Sequence, residues 1–96
     1  MSALLTENQM AEALKPLGGW SHKDKALVKR FQFKTYMDGI RFVELIAVEA
    51  EARDHHPDIL IRYCEVVAFL STHSAGGVTQ RDVDLAKAID TIRVYP

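Results

Sequence analysis

The sequence predicts an α+β fold: a four-stranded antiparallel sheet with three helices packed on one face, in the order α-β-β-α-β-β-α. Three observations predict it. Apolar residues recur with a helical period in three segments and with a strand-like pattern in the stretches between them. The links between neighbouring strands are only a few residues long, which fits antiparallel pairs and not parallel crossovers. At 96 residues the chain has room for one core and not two, so residues 1–96 read as a single domain.

The first helix is predicted over Thr6 to Leu17. Thr6 and Gln9 have the spacing of a capping box, in which each side chain satisfies a backbone N–H at the helix start. Met10, Ala13, Leu14 and Leu17 follow at helical spacing, Pro16 weakens the end, and Gly18-Gly19 stops it. Trp20 opens an extended stretch. Two strands joined near Asp24-Lys25 follow, the second running through Ala26 to Phe33. The cationic residues Lys23, Lys25, Lys29, Arg30 and Lys34 read as the solvent face of these strands.

Tyr36 to Arg53 is predicted as the longest helix. Met37, Ile40, Val43, Ala47 and Ala50 form the stripe expected to face the sheet. Phe42, Leu45 and Val48 fall outside it, so the apolar arc is wider than a small monomer needs; it reads as a broad core contact or, by preference, as a subunit interface on the second side. Ile59 to Thr72 is rich in β-branched and aromatic residues. It is too long for one strand, so it divides into two around a turn at Tyr63 to Glu65. Cys64 reads as a buried structural thiol. After the Gly76-Gly77 loop, Thr79 caps the last helix, with Asp82 placing a negative charge in its first turn. Val83, Ala86, Ile89 and Ile92 carry its apolar stripe.

Composition narrows the function. Twelve Lys and Arg against thirteen Asp and Glu leave a net charge of −1, with no long basic run, so nucleic-acid binding is not expected. No apolar run approaches the roughly 20 residues that span a bilayer, so no membrane partner is expected. The one cysteine cannot form an internal disulfide, and the N-terminus lacks a signal-peptide layout. A cytoplasmic protein is the expectation.

The chemistry gathers around histidine. An unperturbed imidazole titrates near 6.5, close to neutral pH, so it can give a proton in one step and take one in another. Pro57 holds His56 extended, and the adjacent His55 and His56 must send their rings to opposite sides. If Ile59 to Thr72 folds as a hairpin, His73 returns to the same end of the sheet, making a shallow pocket with several imidazoles. Glu51 and Asp54 end the long helix beside them and can orient an imidazole. A three-histidine zinc site is the competing reading, although adjacent histidines supply one ion poorly. Gly76-Gly77 lacks the spacing of a phosphate cradle, and no nucleophile elbow surrounds Ser71 or Ser74.

The run Glu51-x-x-x-His55-His56-Pro57, then Tyr63-x-x-Val66, Ser71-Thr72-His73 and Gly77-x-Thr79-x-x-Asp82 resembles the pterin-4a-carbinolamine dehydratases. With Gly19-Trp20 and Phe31-x-Phe33 the resemblance covers nearly the whole chain. It implies removal of water from 4a-hydroxytetrahydropterin to give quinonoid dihydropterin, in tetrahydropterin recycling. It also implies His55 and His73 as the acid/base pair, with His56 mainly holding the ring. Glu51, Asp54, Pro57, Ser71 and Thr72 would line or support the pterin pocket. No metal, nucleotide, flavin or other cofactor is implied, and family members associate as homodimers or homotetramers. Cys64 and Ile59 depart from residues common in the family, and they leave a non-catalytic dimerisation or binding module on the same fold as the alternative.

Overall fold

The computed structural model describes residues 3–95. Helix α1 (Glu7–Leu14) precedes strands β1 (Ser21–Lys23) and β2 (Ala26–Gln32). Helix α2 (Tyr36–Arg53) then leads to β3 (Asp58–Arg62) and β4 (Glu65–Leu70). A single 3-10 turn (His73–Ala75) and helix α3 (Gln80–Asp90) complete the order. All strand pairs are antiparallel, and the sheet order is β1-β2-β4-β3. The architecture is the predicted α+β one, with the three helices on one face.

Local chemistry sets the boundaries. Thr6 and Gln9 form the reciprocal capping box at α1. The helix stops at Leu14 and not at Leu17, because Pro16 has no N–H to continue the ladder. The β1–β2 link is a two-residue turn in which both Asp24 (φ 49°) and Lys25 (φ 67°) are left-handed. This suits the twist of a hairpin but places a non-glycine residue where glycine is preferred. The β3–β4 link is equally tight, with Tyr63 at φ 50°. Cys64 therefore sits in a turn, half-buried, with its thiol on the Lys34 carbonyl, and not inside a buried strand.

The register assigns the faces. Leu27 pairs with Leu70, Lys29 with Ala68 and Phe31 with Val66, and these pairs point toward the helices. The core is built from them together with Trp20, Phe42, Ile46, Val83, Leu85, Ala86 and Ile89. Two expectations change here. On α2 the buried stripe is Gly39, Phe42, Ile46 and Ala50, whereas Met37 is 52% exposed and Ala47 is exposed. The helix is rotated because Gly39 lets its backbone approach Val66, where an added Cβ would lie 3.4 Å from the Val66 methyl. Phe42 then stacks between Phe31 and Phe33, at centroid distances of 4.7 and 5.0 Å. Lys29 likewise faces the helices and not solvent. Its ammonium meets Asp90 Oδ1 at 2.9 Å, and Trp20 Nε1 donates to the same carboxylate at 3.0–3.1 Å. That cluster ties the start of β1 and the middle of β2 to the end of α3.

Candidate active site

The end of α2 delivers the His-His-Pro segment. Asp54 takes the left-handed conformation (φ 47°, ψ 45°), its N–H reaching the Glu51 carbonyl at 3.2 Å while the N–H of His55 reaches Ala50 at 3.0 Å. These two bonds make a Schellman close, which turns the chain sharply off the helix. Glycine usually occupies that position, so Asp54 carries a strain of about 1 kcal/mol. Arg81, from the first turn of α3, holds the turn from outside. Its Nη2 donates to the Asp54 carbonyl at 2.9 Å and lies 3.4 Å from that of Arg53.

His55 turns inward and is 7% exposed. Its Nε2 lies 2.6 Å from Asp82 Oδ1, and Asp82 is fully buried. The other carboxylate oxygen accepts the Thr72 hydroxyl at 2.8 Å and the Thr79 N–H at 2.9 Å. Thr72 and Thr79 join their hydroxyls at 2.8 Å. The proton count closes: Thr72 spends its one hydroxyl hydrogen on Asp82, so Thr79 donates to Thr72. An ionised Asp82 carboxylate only accepts hydrogen bonds, which puts the hydrogen between it and His55 on Nε2. In neutral His55 this leaves Nδ1 as a bare acceptor. Among the described residues no buried side-chain nitrogen or oxygen lacks a hydrogen-bond partner, which places the unengaged Nδ1 at an accessible surface.

His55 lines a hollow of about 390 Å³ together with Asp54, His56, Pro57, Ser71, Thr72, His73 and Arg81. The β3–β4 hairpin makes it. Asp58 pairs with Phe69, so the residues after β4 return beside the residues before β3. Ser71 is half-buried, Thr72 is 2% exposed, and His73 opens the 3-10 turn at the surface. The Thr72 N–H is anchored on the Gly77 carbonyl at 2.8 Å. His56 turns outward and pairs with Glu51, their side chains being 55% and 77% exposed. Glu51 is thereby joined to the site through His56 and is not among the residues lining the hollow. Among the described residues, no three His, Cys, Asp or Glu side chains are grouped to hold a metal ion.

Sequence reasoning missed Asp82 and Arg81 as parts of the site. Asp82 was legible only as a helix cap, a role it does fill. The usable signal was that a capping carboxylate spends one oxygen on the cap and has another free. A larger hollow, of about 630 Å³, lies between β2 and the end of α3 and shares no lining residue with the histidine hollow. Of its charged residues, Lys29 pairs with Asp90, Arg30 with Glu65 and Asp38 with Arg41, while Arg93 donates to the backbone carbonyls of Asp90 and Ile92.

A family model described as pterin 4 alpha carbinolamine dehydratase matches residues 3–92. A protein of Mycobacterium sp. (strain KMS), named "Putative pterin-4-alpha-carbinolamine dehydratase", is 48% identical over 90 residues, covering 94% of this chain and 96% of the relative. A protein of the same name from Sulfolobus acidocaldarius is 44% identical, covering 93% and 98%. The crystal structure of a transcriptional coactivator/pterin dehydratase from Brucella melitensis superposes with a TM-score of 0.86 at 39% identity, over 90% of this chain and 94% of that one. A pterin dehydratase-like protein described as a RuBisCO assembly factor in the alpha-carboxysome superposes with a TM-score of 0.60 at 25% identity, over 74% and 82%.

Proposed function

The chain belongs to the pterin 4 alpha carbinolamine dehydratase family, and on that premise we propose that it removes water from a 4a-hydroxytetrahydropterin by histidine acid–base catalysis. The product is the quinonoid dihydropterin, which places the reaction in tetrahydropterin recycling. The observation that carries this reading is the hollow between His55-His56-Pro57 and Ser71-Thr72-His73, lined by a His55 whose Nε2 is held by the buried Asp82 carboxylate.

The reaction breaks the C4a–O bond and the N5–H bond. Hydroxide is a poor leaving group, so the 4a-oxygen must gain a proton as N5 loses one, and the sum is one water released. His55 suits the base role: Asp82 holds Nε2–H, so Nδ1 accepts, and the resulting imidazolium stays paired with a carboxylate. The His73 ring makes no hydrogen bond to another described residue, so it is free to meet the 4a-oxygen from the other strand end as the acid. His56, steadied by Glu51, and Pro57 hold the flat ring. Asp54, Ser71 and Thr72 complete the wall. Each proton transfer of this kind contributes roughly 10²–10⁴ in rate. No cofactor is needed for a reaction in which nothing is oxidised.

The protein is also proposed to self-associate, as a homodimer or homotetramer, and to work in the cytoplasm. Leu45 and Val48 on the solvent side of α2 are 39% and 63% exposed, and the edge strand β3 exposes Leu60 (41%) and Ile61 (38%). A binding module without catalysis is the second reading, favoured by the roles in the names of the two solved relatives.

The test follows the ultraviolet signal of the carbinolamine. The wild type should speed its loss, and His55→Ala and His73→Ala should each remove at least about 100-fold of that acceleration with an unchanged circular dichroism spectrum. Variants as fast as the wild type would defeat the assigned roles, and a wild type without acceleration would favour the binding module. Among the described residues no helix is long and apolar enough to cross a membrane.

A further inference from the structure

We propose that the free edge of β2 beside the end of α3 is a docking site for an extended segment of another protein. That segment carries an apolar residue with an acidic residue two positions to either side. The inference goes beyond the histidine hollow and does not depend on the chemistry there.

The free edge follows from the hydrogen-bond ladder. The Phe33 N–H reaches the Cys64 carbonyl at 2.9 Å, and Phe31, Lys29 and Leu27 precede it at alternate positions. These residues therefore turn their backbone groups toward β4, and Val28, Arg30 and Gln32 turn theirs the other way. Val28 meets Ser21, the first residue of β1. The chain before Ser21 leaves the sheet, because Gly19 is left-handed (φ 85°) and the Trp20 N–H bonds back to Leu17. Among the described residues no backbone bond reaches the outward N–H or C=O of Arg30 or Gln32. The tail from Ile92 to Val94 lines the same hollow of about 630 Å³ without a backbone bond to either.

That edge selects its occupant. Two residues at alternate positions, each with an unmet N–H and C=O facing one way, are matched by the backbone of a strand laid antiparallel, as both neighbours of β2 already lie. Incoming residues opposite Arg30 and Gln32 point to the open face of the sheet, and the one opposite Phe31 points toward the helices and into the hollow. Phe31, Phe33, Phe42 and Ile89 wait for it there. Phe31 and Phe33 face the helices yet stay half-buried, so a large apolar side chain takes from water the ring surface that the helices leave open. The lining is cationic, with Lys29, Arg30 and Arg93 against Asp38 and Asp90, and the outside partners Glu65 and Arg41 cancel each other. Arg93 spends Nη1 on two carbonyls and meets no carboxylate among the described residues. Acidic residues two positions from the apolar one share its face and reach these cations. A second copy of β2 fits poorly, since it would set Arg30 against its own like charge.

The experiment titrates the blocked peptide acetyl-Asp-Thr-Ile-Thr-Asp-amide into the full chain and follows amide hydrogen exchange by NMR. The Arg30 and Gln32 amides should exchange fast in the protein alone and gain at least about tenfold protection with peptide bound, while those of Lys29 and Phe31, already bonded to β4, change little. Methylating the two Thr nitrogens, whose N–H groups face β2, should weaken binding at least about tenfold, whereas methylating the Ile nitrogen, which faces away, should cost less than about threefold. Lys in place of both Asp residues should weaken the peptide, and Arg93→Glu should shift the preference back toward Lys by about two- to fivefold, the range of an exposed ion pair. Gln32→Pro deletes one outward N–H at a strand edge, where proline is tolerated, and should cost at least about tenfold in affinity with an unchanged circular dichroism spectrum. Arg93 is exposed, so its variant decides the matter even if Gln32→Pro fails to fold. No binding at about 1 mM peptide, binding that leaves both amides unprotected, equal losses from methylating Thr and Ile, or no shift in Arg93→Glu would overturn the proposal. Slow exchange of both amides before peptide is added would overturn it too, because a second copy would then already hold the edge.

Discussion

Replacing Asp82 by Asn keeps the shape of the buried network and inverts its hydrogen-bond logic. The carboxylate accepts from three donors: His55 Nε2–H at 2.6 Å, the Thr72 hydroxyl at 2.8 Å and the Thr79 N–H at 2.9 Å. An amide has one acceptor oxygen and one donor NH2. The Thr72 and Thr79 donors converge on one oxygen, so the amide oxygen takes that place and the NH2 faces His55. Nε2 must then accept, and the hydrogen of neutral His55 moves to Nδ1. The nitrogen facing the hollow becomes a donor where the reaction needs an acceptor. A buried Asp-to-Asn change that enforces the wrong imidazole tautomer can cost about 10⁴ in kcat with little movement, and a general base contributes roughly 10²–10⁴. We expect kcat for Asp82→Asn to fall by about 10²–10⁴ with KM changed far less. The lost bonds to a charged acceptor should lower stability by about 2 kcal/mol. Stopped-flow ultraviolet loss of the carbinolamine gives the rate, urea melts give the stability, and imidazole ¹⁵N shifts report the tautomer. A variant within about threefold of wild-type kcat, with the tautomer shown to be inverted, would refute the reasoning. Asp82→Ala is less informative, because three unpaired buried donors at about 1–3 kcal/mol each rival the ~5–15 kcal/mol stability of a whole domain.

The other predictions concern folding and association. Lys25→Gly relieves a left-handed lysine (φ 67°) and should add about 0.5–1 kcal/mol, seen as a rise of a few degrees in Tm; a lower Tm would contradict the turn assignment. Ile46→Ala removes a fully buried side chain facing the sheet and should cost about 2–5 kcal/mol, whereas Ala47→Ser on the exposed side should change stability by less than about 0.5 kcal/mol. Comparable losses in both would show that the helix is not rotated as described. Val48→Asp places a charge on the 63%-exposed apolar side of α2 and should shift the mass measured by light scattering toward smaller species without altering the circular dichroism spectrum. An unchanged mass would exclude that side of α2 from the assembly.

Tyr36–Arg53 was legible to the residue, because a helix of 18 residues announces itself by its period and by the strands that flank it. The capping box at Thr6, the cap at Thr79 and the turn at Asp24-Lys25 were legible for the same reason: each is settled by a few neighbouring residues. The hollow was legible in outline, since Pro57 and a hairpin of known length bring His73 back toward His55 and His56. The phase of α2 was not. Met37, Ile40 and Val43 on one side and Phe42, Leu45 and Val48 on the other offer two apolar faces, and periodicity does not rank them.

Sequence by itself determined the elements, their order and the residue types at the sheet end, because backbone propensity, capping and alternation act over a few residues. Tertiary structure alone decided which side of α2 meets the sheet, that Lys29 turns inward to Asp90, and that Asp82 serves both its own helix and His55. Those outcomes depend on the space left between elements distant in the chain, where a glycine permits close approach and a buried carboxylate must satisfy every donor around it. Such demands arise only when the segments meet.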